Sequence, residues 1–78
     1  MITAKAIRSR IAEICSAVTW VYNNKPCGVD PYGSYKFVMW YGDAVEELTT
    51  VEDVMNEPFF DGKTIEEIIP DMVDYDEG

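Results

Sequence analysis

The sequence predicts a single small α+β domain, and three patterns carry the prediction. An apolar stripe recurs at helical spacing near the N-terminus, a central aromatic and branched run ends in a two-residue turn, and two short capped segments near the C-terminus are stopped by prolines. The expected architecture is a long N-terminal helix, an antiparallel β-hairpin that becomes a three-stranded sheet if residues 18–22 are extended, and two short C-terminal helices. Residues 1–73 make the domain, and the acidic residues 74–78 are expected to fray.

The stripe is Ala4, Ile7, Ile11, Ile14, Cys15 and Val18, continued by Val21 or Tyr22, which gives one apolar helix face beginning after Thr3. Thr3 is the N-cap, and Asn23-Asn24 before Lys25-Pro26 supplies a stop, because the residue ahead of proline is pushed out of the α region. On this reading Cys15 is a small buried hydrophobe. Val18-Thr19-Trp20-Val21-Tyr22 is rich in β-formers, however, so a helix ending near Ala17 and followed by a short strand competes.

Residues 25–34 hold two prolines and two glycines and read as a loop, with Asp30-Pro31-Tyr32-Gly33 fitting a type I turn. Tyr35 to Tyr41 is the clearest strand, and Gly42-Asp43 suits a type II′ turn into Ala44–Thr49. That register pairs Tyr41 with Ala44, Met39 with Glu46 and Phe37 with Leu48 on the expected core side. Trp40 with Val45 and Val38 with Glu47 fall on the other side, which needs cover from a further strand, a helix or a partner.

Thr50 with Asp53 begins a short helix carrying Val51, Val54 and Met55, limited by Pro58. Thr64 with Glu67 matches a capping box and opens a second helix with Ile65, Ile68 and Ile69 that Pro70 closes. Phe59-Phe60 between them supply core anchors before the Asp61-Gly62-Lys63 turn.

Charge bounds the function. The 78 residues carry fifteen acidic and six basic side chains and no histidine, a formal charge of −9 that argues against unaided binding to nucleic acid or an anionic membrane. The acidity is concentrated: residues 1–42 hold two carboxylates against five cations, net +3, whereas residues 43–78 hold thirteen against Lys63 alone, net −12. The acidic half is also apolar enough to fold, so its carboxylates decorate structure rather than a tail.

Little else points to chemistry. Without histidine or bulk to enclose a cleft, the chain is not expected to be an enzyme, and no cofactor is expected. Asp74-x-Asp76-x-Gly78 lacks the glycine and later ligands of a calcium loop, and two cysteines give no usual zinc set, so no metal is expected. Lys5, Arg8 and Arg10 interrupt any leader-like run, no stretch has the length of a membrane span, and Cys15 and Cys27 read as reduced, which together suggest a cytoplasmic protein.

The expected function is a non-enzymatic interaction module, a monomer or weak homodimer, whose acidic face docks on a protein partner with a basic surface, such as a nucleic-acid-binding protein. The residues expected to carry it are Asp43, Glu46, Glu47, Glu52, Asp53 and Glu57, with Trp40 and Tyr32 as aromatic anchors. In size, charge and element order the chain is similar to the small acidic anti-defence inhibitors that phages and mobile elements encode, including those that mimic nucleic-acid charge, a likeness of class features that transfers no residue. The competing expectation is a structural or accessory subunit that buries the Trp40 face in an assembly.

Overall fold

The structure, a computed structural model, describes residues 2–77. Helix α1 (Ala4–Ala12) leads into four strands, β1 (Val18–Tyr22), β2 (Lys25–Pro31), β3 (Phe37–Tyr41) and β4 (Ala44–Leu48). Helices α2 (Val51–Asn56) and α3 (Ile65–Ile68) follow, then a 3₁₀ turn at Ile69–Asp71 and strand β5 (Val73–Asp76). The sheet is antiparallel throughout, in the order β4-β3-β2-β1-β5. The expected hairpin, or three-stranded sheet, is therefore too small. The order of helix, hairpin, helix and helix is replaced by one that places four strands after α1 and a fifth at the end.

Helix α1 is shorter than its stripe implies. Thr3 caps it as expected, its hydroxyl accepting from the Ala6 N–H at 3.1 Å, and Ile7 and Ile11 are buried. Past Ala12 the chain leaves the helix, with Cys15 at φ 56° and the Ser16 N–H donating to the Arg10 carbonyl at 3.1 Å. Ile14 is consequently 59% exposed and Cys15 is exposed, not buried. The β preference of residues 18–22 prevails because an extended run can bury Val18, Trp20 and Tyr22 together on one face.

The supposed helix stop Asn23-Asn24 is a hairpin turn. Both residues have positive φ, 54° and 60°, between the paired Tyr22 and Lys25, which is the type I′ pattern that asparagine tolerates well. The supposed loop after it is the central strand β2, and Pro31 lies inside that strand instead of at the second position of a turn. Its prolines are placed where the ladder asks nothing of them. The Pro31 nitrogen faces β1 beyond its first residue, Val18, and Pro26 lies level with Gly42, past the end of β3, where its carbonyl still accepts from the Gly42 N–H at 2.8 Å.

The β3–β4 hairpin has the expected register pair for pair. Of its two turn residues only Gly42 has positive φ, 60°, the type II′ pattern. Phe37, Met39, Tyr41 and Leu48 are buried on the helix-covered side. There α1, α2 and α3 supply Ile7, Ile11, Val54, Ile65 and Ile68.

Phe60 is fully buried at the centre of an aromatic cluster, with ring centroids 5.6 Å from Trp20, 5.7 Å from Tyr41 and 5.2 Å from Phe59. A tight turn at Asp61-Gly62 holds it, since Phe60 and Lys63 exchange two backbone hydrogen bonds of 3.1 Å. Edge-to-face and tilted aromatic pairs of this kind add about 0.5–1.5 kcal/mol each beyond area burial.

The expected frayed end enters the sheet instead. Val73 pairs with Val21 and Asp76 with Thr19, across a bulge where Asp74 has φ 56°. The Glu77 carbonyl accepts from Arg10 Nη2 at 3.2 Å and from Ser16 Oγ at 3.4 Å, tying the strand's end to α1. Charge alone suggested a solvated tail, but β1 offers an open row of backbone partners that acidic side chains do not prevent from pairing. Gly78 lies outside the described residues.

Candidate functional site

The helices leave the opposite face of the sheet uncovered. Trp40, Val38 and Val45 lie there with Thr19, Val21 and Val73, and Val45 is 66% exposed. Trp40 itself is half-buried, because its ring lies against Gly28, its partner across the β2–β3 ladder. A Cβ on residue 28 would come within 2.7 Å of both Trp40 Cη2 and the Val18 carbonyl oxygen.

The six candidate carboxylates follow strand β4 and the segment after it. Asp43 is in the hairpin turn, Glu46 projects to the helix side and Glu47 to the uncovered side. Glu52 and Asp53 occupy the first turn of α2, where the helix dipole favours them, and Thr50 Oγ1 accepts from the Asp53 N–H at 3.1 Å. Glu57 follows the helix and returns to β4 beside Glu46, so that a proton on one carboxyl would be shared with the other. Burial first, then the hydrogen bond that proton makes and the Glu57 charge, raise the Glu46 carboxyl above its ordinary pKa.

Basic residues reach only part of this set. Arg8 pairs with Glu52, and Lys36 Nζ is 3.8 Å from Glu47, both pairs at the surface and worth little to stability. Among the described residues, Asp43, Glu46, Asp53 and Glu57 have no ion-pair partner, since the third pair joins Arg10 to Glu77. Tyr32 is 62% exposed beyond the end of β2, away from Trp40 along the strands. Asp30 beside its hydroxyl holds the phenol above its usual pKa, and Lys36 Nζ lies 5.5 Å from its ring centroid. Lys36 thus links Tyr32 to Glu47, but the two aromatic residues do not share one patch.

A second feature escapes the sequence reading. At the turn end of the sheet a cavity of about 590 Å³ is lined by Lys25, Tyr41, Asp43 and Asp61 among others. The Tyr41 hydroxyl donates to Asp61 Oδ2 at 2.7 Å and accepts from Asn23 Nδ2 at 3.1 Å, while Asn23 also donates to Asp61 at 2.7 Å. Asn23 donation lowers the Tyr41 pKa, but acceptance by Asp61, burial and the Asp61 charge outweigh it and the net shift is upward. This triangle fastens the β1–β2 turn to the loop after α2. The Asn-Asn pair between two β-forming runs was the available signal for it.

No family model matches the chain, and no curated protein or solved structure matches it. The residues themselves are therefore the basis for a functional reading. Cys27 does not suggest a nucleophile, since it is buried, which pushes its thiol up to about 11. Among the described residues no helix is long and apolar enough to cross a membrane.

Proposed function

We propose that this protein is a non-enzymatic interaction module whose carboxylates along β4 and α2 engage a protein with a basic surface, such as a nucleic-acid-binding protein. The observation behind the reading is that four carboxylates on consecutive elements, Asp43, Glu46, Asp53 and Glu57, have no ion-pair partner among the described residues. A cationic partner would gain charge complementarity there and would relieve the Glu46–Glu57 repulsion, which solubility alone does not require. Trp40 beside Val45 lies on the opposite, uncovered face, across the β4 edge from Glu46, and adds an aromatic anchor of the kind that dominates interface energetics. Inhibition of a nucleic-acid-binding protein by charge mimicry is one use of such a surface.

The test is binding to a panel of basic nucleic-acid-binding proteins across a salt series. Affinity should fall steeply as ionic strength rises, and affinity indifferent to salt overturns the electrostatic reading.

The uncovered sheet face favours a second reading, a subunit that buries Trp40 and Val45 in a homodimer or larger assembly. Light scattering separates the two: a stable dimer with Trp40 shielded from aqueous quencher supports assembly, and a monomer with Trp40 quenchable rejects it.

A further inference from the structure

The two edges of the sheet are unlike. Strand β5 is four residues long and broken by the bulge at Asp74, so it offers a poor template for further pairing. Strand β4 pairs with β3 at all five residues without a shift. Its two-residue turn makes Tyr41 and Ala44 a hydrogen-bonded pair, so by alternation Ala44, Glu46 and Leu48 bond to β3. The N–H and C=O groups of Val45 and Glu47 then point away from the sheet, and no further strand lies beyond them among the described residues. Both side chains are exposed on the uncovered face.

We propose that β4 is a docking edge for an extended, lysine- or arginine-bearing segment of a partner protein, which adds as a sixth strand through Val45 and Glu47 and places cations beside Glu46, Glu57 and Glu47. Charge chooses this occupant over a second copy of the chain. Two β4 edges paired antiparallel about Glu46 or Glu47 would face that residue with its own counterpart and set the other diagonally against its copy, and a β4 edge against a β5 edge would meet Asp74 and Asp76, so both self-pairings set like charges across the ladder. A basic strand meets carboxylates on both faces of β4, and its residue beside Val45 reaches toward Trp40. Main-chain bonds would supply affinity, and the acidic side chains would supply selection.

This inference rests on the acidic-surface reading, and the experiment separates the two. The probes are an extended peptide of alternating lysine and valine and the same peptide N-methylated at every second residue, which keeps its charge but blanks one hydrogen-bonding edge. Binding and amide exchange of the full chain are followed by NMR at low salt. The unmodified peptide should bind and protect the Val45 and Glu47 amides, and N-methylation should weaken it about tenfold or more, the loss of one or two backbone bonds. Equal binding of both peptides without that protection overturns the edge and leaves the acidic surface standing. Binding of neither overturns both. Val45→Pro, which removes one outward N–H and none that bonds to β3, should reproduce the loss, and full affinity in that variant also overturns the edge. If the variant does not fold, the peptide pair still decides.

Discussion

Gly28→Ala isolates the contact that holds Trp40 against the sheet. Two obstacles meet the new methyl group, the Trp40 ring, which can swing outward, and the Val18 carbonyl oxygen at 2.7 Å, which cannot move without disturbing the β1–β2 ladder. Overpacking of this kind costs about 1–3 kcal/mol. Replacing a strand glycine recovers about 0.5–1 kcal/mol through the unfolded chain. Taking the middle of each range, the net expectation is a loss of about 1 kcal/mol, which in a domain of this size lowers Tm by about 4–8 °C. In a Trp40→Ala background only the carbonyl obstacle remains, so the penalty should shrink by about 1 kcal/mol, within the usual coupling of residues in contact. Thermal denaturation of the four proteins completes the cycle. In Gly28→Ala alone, the Trp40 emission should shift to the red as the ring is displaced into water. A Tm within about 2 °C of the parent, or an undiminished penalty in the Trp40→Ala background, would refute the packing described for this face.

Other expectations concern the carboxylates, a cap and the thiols. The Glu46 pKa is raised in the folded state, so the fold binds that proton more readily than the unfolded chain and gains stability as pH falls through the raised value. Glu46→Gln should therefore raise Tm at neutral pH and reduce the gain on acidification, and thermal melts at neutral and mildly acidic pH check both. Thr64→Ala removes a hydroxyl that accepts from the Glu67 N–H at 3.4 Å and breaks the capping box completed by Glu67 Oε1 on the Thr64 N–H at 2.8 Å. It should cost about 1 kcal/mol in urea denaturation. Native protein should take up one equivalent of thiol reagent at Cys15, with Cys27 reacting only on unfolding, as mass analysis of labelled peptides would show.

The helix caps and the β3–β4 hairpin were legible because each is specified locally: Thr3, Thr50 and Thr64 cap within three residues, and Gly42 fixes its own turn. Strand β2 was hidden because proline and glycine count as loop residues unless their neighbours in the sheet are known. Pro26 and Pro31 are tolerated only through where β1 and β3 stop, and Gly28 is needed only because Trp40 lies against it. Strand β5 was hidden for a similar reason, since its partner is most of the chain away. Of the candidate site, the concentration of carboxylates could be read from the sequence. The contact of Glu46 with Glu57 and the separation of Tyr32 from Trp40 could not, because both depend on how β4 and α2 fold back and on β2 extending through Pro31.

The pairing of β5 with β1 also sets an order of assembly. Strands β1 to β4 form a meander in which every partner is a sequence neighbour, so these contacts close short loops and form early. Val73 must find Val21 only after both later helices have been threaded between them, a closure with much greater entropic cost and fewer pairs to reward it. The fifth strand should thus dock last and peel away first, which predicts faster amide exchange along β5 than along β2. Whenever it detaches, Thr19 and Val21 expose a second, less acidic ladder edge. Their side chains carry no charge, so the acidic fifth strand acts as a cover for the part of the sheet most prone to pair indiscriminately.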